Sequence, residues 1–364
     1  MPTQTTENCC TCGPGKLIIA NSNCGSECLG SFIPVHELLS TATRDVFAYP
    51  RPGPELIKEI QEFTGVADQD AVFPTTSALR AAGTLINLLK PDAVVVAETD
   101  FVGFTIAANV SGAPLVRVTA NLRGTNIGIE ERIAATASEY VQPVIFVTVP
   151  ITNPGQVRIN PRVLVAAVKR RCPWAVVVLD DAYADYSTFS HKEIANLAVT
   201  NPRTVSLSPV SKLLYLPAVT TSWIITGDPA IKQALQRVKL PYEPSGMGNS
   251  IVPKALANQA WFEAAREDVK QARNVLGSGL RKVLGAPQVI SGPGPWVLID
   301  AGKQADALVT WLGGKGILVQ QQSGLDPSLP SHLVRVSATA SCEASRIVEK
   351  IKAYFDDPPP AFQI

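Results

Sequence analysis

The chain has 364 residues, of which 46% are hydrophobic and 17% charged, and its formal net charge at pH 7 is +1. This composition argues against a disordered chain, and the interspersed charges argue against a basic surface for nucleic acid or for a membrane. The expected partner is therefore a small molecule. The length suits one large domain together with a smaller one.

The start of the chain lacks the pattern of a targeting segment. Its longest apolar run within residues 1–20 is Leu17–Ala20, too short for a signal peptide, and the other apolar runs have strand length. The expected compartment is therefore the cytoplasm. Five cysteines near the start form no pair of CxxC knuckles and have no nearby histidine, so we expect reduced thiols and no metal site. They are Cys9, Cys10, Cys12, Cys24 and Cys28.

From residue 71 to residue 227, strand-length apolar runs alternate with amphipathic helical stretches. The runs are apolar at successive positions, as in strands covered on both faces. Strands are predicted over residues 71–73, 93–98, 114–118, 144–149, 175–180, 204–207 and 222–226, with helices such as 78–89 and 161–171 between them. This alternation predicts an α/β fold of the doubly wound kind, with a mainly parallel seven-stranded sheet flanked by helices.

Beyond residue 227 the pattern changes to a long helical region followed by short strands. The helical region over residues 252–284 is expected to break near Gly277-Ser278-Gly279. The later predictions are strands over residues 296–300, 316–320 and 333–336, and a last helix over 343–354. We therefore predict a large domain over residues 50–245, and a smaller α+β domain made from residues 1–49 and 246–364.

Polar residues follow four of the predicted strands, at the edge where open α/β sheets bind ligands. Carboxylates that end a buried strand need partners, and hydroxyls just before a helix make an anion site. The four segments are Asn153-Pro154-Gly155, Asp180-Asp181-Ala182-Tyr183, Ser211-Lys212 and Thr75-Thr76-Ser77. The three histidines are far apart in the sequence, which argues against a histidine-based triad or metal site.

In this order, and with a late Val-Arg-Val strand, these motifs resemble those of fold-type I pyridoxal-phosphate enzymes. Within that group they look most like class I/II aminotransferases of the histidinol-phosphate aminotransferase type. The resemblance runs from Tyr49-Pro50 to Arg335. It implies that Lys212 forms the Schiff base with pyridoxal 5'-phosphate and moves a proton at the substrate's α-carbon. It also implies that Asp180 faces the pyridine nitrogen and keeps it protonated.

The resemblance assigns further cofactor contacts. Two residues bond the phenolic oxygen of the ring, one aromatic residue stacks on the ring, and three hydroxyls hold the phosphate. In that order they are Tyr183 and Asn153, then Phe101, then Thr76, Ser77 and Ser211. Tyr49 resembles a residue that reaches the phosphate of the neighbouring subunit, which implies a homodimer with the active site at the subunit interface. Arg335 is assigned to the substrate carboxylate, which suits its planar fork of donors.

The sequence departs from the family pattern at three places. Thr220 stands where the family has an arginine for the cofactor phosphate, and Pro209 replaces a hydroxyl residue, although Ser208 precedes it. The asparagine motif is one residue short. Losing a charged hydrogen bond costs about 1.5–3 kcal/mol, or roughly ten- to a hundredfold in affinity. Arg80 or a residue of a second subunit is a candidate replacement.

The complete set of ring-facing residues predicts pyridoxal-phosphate chemistry at the α-carbon of an amino acid. Transamination to a 2-oxo acid is the favoured reaction. One alternative is elimination or cyclisation, as in a lyase or a guanidino-amino-acid cyclase resembling capreomycidine synthase. A non-catalytic relative that binds a partner is disfavoured, because Lys212 and Asp180 are both retained.

Overall fold

The computed structural model describes residues 18–20, 33–42, 49–50, 53–122, 126–238, 242–324, 327 and 329–358. They fall into two compact units: the large unit comprises the described residues between 36 and 259, and the small unit comprises those up to 35 and from 260 onward. The domain boundary near residue 245 stays a prediction. The five N-terminal cysteines lie outside the described residues.

Strands and helices alternate along most of the described chain. The strands are β1 (Ile18–Ile19), β2 (Val72–Thr75), β3 (Ala93–Ala97), β4 (Leu115–Val118), β5 (Pro143–Thr148), β6 (Val176–Asp180), β7 (Thr204–Pro209), β8 (Ser222–Ile225), β9 (Val289–Ser291), β10 (Trp296–Asp300), β11 (Ile317–Leu318), β12 (Gln320–Gln321) and β13 (Leu333–Ser337). The helices are α1 (Val35–Ala42), α2 (Pro54–Thr64), α3 (Ala78–Leu89), α4 (Val102–Ser111), α5 (Ile129–Ala137), α6 (Pro161–Arg171), α7 (His191–Thr200), α8 (Val210–Leu213), α9 (Pro229–Val238), α10 (Gly246–Ala257), α11 (Ala260–Leu284), α12 (Ala305–Gly314) and α13 (Ser341–Asp356). No helix among these described residues is long and apolar enough to cross a membrane.

The large unit contains a seven-stranded sheet with the order β2-β8-β7-β6-β5-β3-β4. The pairings from β7 to β4 are parallel, and β8 runs antiparallel to both of its neighbours. Each of the seven predicted strands is present. The predicted α/β fold with a mainly parallel sheet is therefore confirmed.

Helices cover both faces of this sheet, so successive strand residues are buried on opposite sides. In β3, Val94 and Val96 pack with residues of α3 and α4, whereas Val95 packs with residues of α5 and α6. This explains why the strands are apolar at every position and do not alternate. The polar residues that line the cavity described below accordingly lie at or beside the ends of these strands.

The small unit contains the sheet β12-β13-β10-β9, whose pairings are antiparallel, and the short parallel pair β1-β11. The single strand predicted over residues 316–320 is wrong: Ile317–Leu318 pairs with β1, and Gln320–Gln321 pairs with β13. Strand β9 was not predicted, because three residues are too few for a clear pattern.

The helix break expected at Gly277-Ser278-Gly279 is also wrong. Helix α11 continues through these residues, and the chain instead leaves the helix at Asn258-Gln259, between α10 and α11. A Cβ at Gly279 would lie 2.8 Å from a methyl group of Val348 in α13. Gly279 therefore permits close packing of two helices and does not end one.

Candidate active site

A cavity of about 230 Å³ lies in the large unit, beside the carboxyl ends of β5, β6 and β7. Its lining includes Thr148, Asp180 and Pro209, the last residues of these three strands. It also includes every predicted cofactor-binding residue except Tyr49, namely Thr76, Ser77, Phe101, Asn153, Asp180, Tyr183, Ser211 and Lys212. The fold thus brings together segments that are far apart in the sequence.

Asp180 is a buried carboxylate on the wall of this cavity. It is 2% exposed, and its Oδ1 accepts a hydrogen bond of 3.0 Å from the Ala182 N–H. Burial raises the pKa of Asp180 well above its ordinary value, and the charges of Asp181 and Asp100 raise it further. The hydrogen bond from Ala182 and the charge of Lys212 act in the opposite direction. A cationic ligand group beside Asp180 would favour its ionised form.

Lys212 supplies the amine of the cavity. It lies in the four-residue helix α8, directly after β7, so the end of the strand carries it to the ligand edge of the sheet. It is the only Lys or Arg among the described residues that line the cavity. An amine and a buried carboxylate therefore line the same cavity.

The turn after β5 is held against Thr99, which lies in the connection between β3 and α4. The N–H of Gly155 donates to the carbonyl of Thr99 at 3.1 Å, and a Cβ at Gly155 would lie 2.1 Å from Thr99 Oγ1. Glycine is thus needed for the close approach that places Asn153 in the cavity wall. Asn153 and Tyr183 are both buried, at 8% and 2% exposure.

Phe101 is held in the wall by Asp100, a residue that the sequence analysis did not single out. The Asp100 carboxylate accepts the N–H of Phe101 at 2.7 Å and the N–H of Thr148 at 2.9 Å, which joins the start of α4 to the end of β5. Burial raises the pKa of Asp100 to about 7, although these hydrogen bonds oppose the shift. A Cβ at Gly103 would lie 2.3 Å from the Phe101 ring, so glycine leaves room for it.

Hydroxyls and a helix N-terminus form another wall of the cavity. Thr76 and Ser77 precede α3, and the Ser77 Oγ accepts the N–H of Arg80 at 3.1 Å as the helix cap. Ser222, the first residue of β8, also lines this wall and was not predicted as a site residue. Hydroxyls and free N–H groups of this kind suit an anion.

A buried polar cluster around Asp181, the residue that follows Asp180, joins three elements. The Asp181 Oδ2 accepts the hydroxyl of Ser208 at 2.9 Å and lies 2.9 Å from His191 Nδ1. Burial lowers the pKa of His191, but the charges and hydrogen bonds of Asp181 and Asp185 outweigh this effect and raise it to about 10. The cluster ties β6 to β7 and α7 next to Asp180.

Two predicted site residues do not line this cavity. Tyr49 is 80% exposed, and its ring centroid lies 4.9 Å from that of Tyr242. Arg335 belongs to the small unit and is 5% exposed on β13, which lies between β10 and β12. Arg335 is therefore not a solvated edge residue.

Arg80, the candidate replacement for the family arginine, does not line the cavity either. Its Nε lies 3.2 Å from Glu243 Oε1, and Glu243 Oε2 accepts the Thr75 hydroxyl at 2.8 Å. Among the described residues that line the cavity, none therefore replaces the family arginine at the position of Thr220 with another arginine.

Residues 28–353 match the family model "Aminotransferase class I and II", so the chain belongs to this family. Its curated relatives include histidinol-phosphate aminotransferases. That of Moorella thermoacetica is 25% identical over 291 residues, which cover 78% of this chain and 72% of the relative. That of Granulibacter bethesdensis is 24% identical over 327 residues, which cover 87% of this chain and 84% of the relative.

Solved structures show the same fold at lower identity. The histidinol-phosphate aminotransferase of Clostridium acetobutylicum has a TM-score of 0.80 at 14% identity, covering 93% of this chain and 99% of that one. The enzyme of Sinorhizobium meliloti, solved in complex with pyridoxal-5'-phosphate, has a TM-score of 0.80 at 19% identity, covering 94% and 92%. An L-threonine-O-3-phosphate decarboxylase of Porphyromonas gingivalis has a TM-score of 0.76 at 14% identity, covering 94% and 100%. The fold therefore does not fix the reaction.

Proposed function

We propose that this chain is a pyridoxal-phosphate-dependent enzyme that acts at the α-carbon of an amino acid, and that it transfers the amino group to a 2-oxo acid. One observation carries this proposal: Lys212 and Asp180 line the same cavity in a member of the class I and II aminotransferase family.

The residues of the cavity fit the chemical groups of this cofactor. An amine suits the aldehyde, a buried carboxylate suits the ring nitrogen as a cation, and hydroxyls at a helix N-terminus suit the phosphate. Asp180 ends β6, and Ser222 begins β8, two strands away in the sheet. Asp180 pairs with Leu207 and Ser222 pairs with Pro209, two residues further along β7. At the usual strand spacing and rise their Cα atoms are therefore roughly 11–12 Å apart, so the carboxylate and the anion-binding wall can face opposite ends of one ring.

The proposed roles follow from what each side chain can donate or accept. Lys212 Nζ attaches the cofactor and then accepts and returns the proton of the substrate's α-carbon. Asp180 holds a proton on the ring nitrogen, and Tyr183 and Asn153 donate to the phenolic oxygen. Bound in this way, the cofactor supplies an electron sink for the bond broken at the α-carbon.

Two further roles rest on the family resemblance. Arg335 is proposed to bind the substrate carboxylate, because an arginine fork matches two carboxylate oxygens. Tyr49 is proposed to reach the phosphate of a neighbouring subunit, and its 80% exposure leaves the ring available for that contact. The proposed assembly is accordingly a homodimer.

The attachment site can be tested directly. The purified chain is mixed with pyridoxal 5'-phosphate, reduced with borohydride and digested, and the modified peptide is identified by mass spectrometry. We expect the tag on Lys212 and none in a Lys212→Ala variant. A Lys169→Ala variant, which alters an exposed lysine on α6, serves as the matched control. A tag elsewhere, or full turnover by Lys212→Ala, would refute the assignment.

A panel of amino acids then identifies the reaction. Release of a 2-oxo acid with stoichiometric formation of the amino form of the cofactor supports transamination. A product that keeps its amino nitrogen, or one that has lost a side-chain leaving group, would replace transamination by cyclisation or elimination. A chain that binds no cofactor and turns over no amino acid would contradict the proposal and leave a non-catalytic role.

A further inference from the structure

The segment Thr220-Thr221-Ser222 puts hydroxyl residues where the family pattern has an arginine. We propose that Ser222 and the N-terminus of α3 hold the cofactor phosphate through uncharged hydrogen bonds, with no arginine among the described residues that line the cavity. This inference rests on the proposed function, and it adds Ser222, which the sequence did not reveal, to the residues that bind the phosphate.

The sheet register puts Ser222 between the two segments that approach the phosphate. Ser222 pairs with Thr75 at the end of β2, and Thr75 directly precedes Thr76-Ser77 and α3. On its other side Ser222 pairs with Pro209 at the end of β7, just before Ser211 and Lys212. A phosphate bound at the start of α3 and near Ser211 is therefore next to Ser222.

The Ser222 hydroxyl is buried and lacks a hydrogen-bond partner among the described residues. The residue is 1% exposed, and it lines the cavity. A buried hydroxyl of this kind is unfavourable unless another group satisfies it. A ligand oxygen in the cavity would provide the missing acceptor.

The helix start provides a second, independent set of donors. Helix α3 is twelve residues long, and Ala78 and Leu79 in its first turn line the cavity. N–H groups in the first turn have no preceding helical carbonyl to bond, and the helix dipole favours an anion beside them. The Ser77 hydroxyl oxygen already accepts the Arg80 N–H, which leaves its own proton for donation.

Arg80, the candidate cation in the first turn of α3, is occupied elsewhere. Arg80 is paired with Glu243, and Glu243 is also bonded by Thr75. The Thr221 hydroxyl donates to the Val219 carbonyl at 3.0 Å. The described anion-binding wall therefore contains uncharged donors, and Lys212 is committed to the aldehyde in the proposed function.

Uncharged donors leave a signature on the phosphate itself. An arginine stabilises the dianion and lowers the second pKa of a phosphate, whereas hydroxyls and N–H groups shift it less. We expect the ³¹P signal of the bound cofactor to titrate with pH near the solution value of about 6. This measurement uses the unaltered protein and does not depend on turnover.

Two variants test the ligands. Ser222→Ala should weaken the affinity for pyridoxal 5'-phosphate roughly three- to tenfold, the effect of one uncharged hydrogen bond. It should leave the affinity for pyridoxal, which lacks the phosphate, unchanged. Thr220→Arg should strengthen pyridoxal 5'-phosphate binding roughly tenfold or more and should flatten the ³¹P titration.

Ser206→Ala is the matched control, because Ser206 is a buried serine of the same sheet whose hydroxyl also lacks a partner among the described residues, and it does not line the cavity. The inference would be overturned if Ser222→Ala and Ser206→Ala lost the same affinity for pyridoxal 5'-phosphate, or if Ser222→Ala lost equal affinity for pyridoxal 5'-phosphate and pyridoxal. A ³¹P signal independent of pH in the unaltered chain would also overturn it. Failure of the proposed function looks different, since neither aldehyde would then leave a reduced adduct on Lys212.

Discussion

The Nδ1 atom of His191 lies 2.9 Å from Oδ2 of Asp181, and both side chains are buried. Asp181 also accepts the hydroxyl of Ser208, so one carboxylate links α7, β6 and β7. Because Asp181 is next to Asp180 in the chain, this linkage fixes the end of the strand that carries the carboxylate proposed to face the cofactor ring. The cluster therefore matters for stability as well as for the site.

The His191–Asp181 pair predicts a stability that falls as the pH rises. The folded chain raises the pKa of His191 to about 10, above the value of about 6.5 in the unfolded chain. Between these values the folded chain binds one more proton than the unfolded chain. The pair's contribution to the free energy of unfolding is fully present below pH ~6.5. It declines by about 1.4 kcal/mol per pH unit as the pH rises and is lost above pH ~10.

Urea unfolding at a series of pH values checks this dependence. The difference in unfolding free energy between the unaltered chain and His191→Gln should shrink across that window. His36→Gln, which changes an exposed histidine on α1, should show no such trend. A His191 ring that titrates near 6.5 by NMR would contradict the prediction.

Asp180→Asn should remove most of the turnover while leaving cofactor attachment intact. An amide cannot stabilise a proton on the ring nitrogen as a carboxylate does. We expect kcat to fall by about 10²–10³, the loss typical of one preorganised charged or polar group at a reacting centre. The Lys212 adduct should still form after borohydride reduction. Asp70→Asn, at an exposed position, should retain full turnover.

The contact between Gly248 in α10 and Thr221 predicts a specific coupling. A Cβ at Gly248 would lie 2.1 Å from Thr221 Oγ1, so Gly248→Ala should cost about 1–3 kcal/mol through overpacking. Thr221→Ala removes that oxygen, and the double variant should be more stable than the sum of the single effects by about 1–2 kcal/mol.

Urea unfolding of the four proteins in this cycle measures the coupling. Gly83→Ala is the control, because a Cβ there meets nothing within 4 Å inside α3. It should be neutral or stabilise by about 0.5–1 kcal/mol, as alanine does in a helix. Strict additivity of Gly248→Ala and Thr221→Ala would show that the two positions do not compete for space.

Changes at Arg335 should affect the amino-acid substrate and not the cofactor. Arg335→Gln removes both charge and fork, and KM should rise roughly ten- to a hundredfold, the effect of a lost charged hydrogen bond. Arg335→Lys keeps the charge without the planar fork, so its KM should lie between those of the unaltered chain and Arg335→Gln. Borohydride labelling of Lys212 should match that of the unaltered chain. Unchanged KM values would exclude Arg335 as the substrate's carboxylate ligand.

The sequence was sufficient to predict the sheet, because buried strands leave a local pattern, and eight of the seventeen described residues that line the cavity were predicted site residues. Apolar runs mark buried strands, and the carboxyl ends of parallel strands meet at one edge, so Asp180, Asn153 and Lys212 were predicted to converge. Helices α3 and α6 begin and end at the predicted residues.

Contacts between distant segments could not be read in this way. Arg80 and Glu243 are 163 residues apart, and only the folded chain shows that they pair. The burial of Ser222 depends on its register against β2 and β7, and the role of Gly279 depends on packing against α13. Glycine in a helix looks like a break when its tertiary neighbour is unknown.

The antiparallel strand β8 determines when the cavity can form during synthesis. It lies between β2 and β7, so the walls carried by these two strands come together only after β8 has paired on both sides. A nascent chain whose residues up to Ile225 have not yet left the ribosome cannot complete this part of the sheet. Any ligand that needs both walls must therefore be captured late, when nearly all of the large unit has been made.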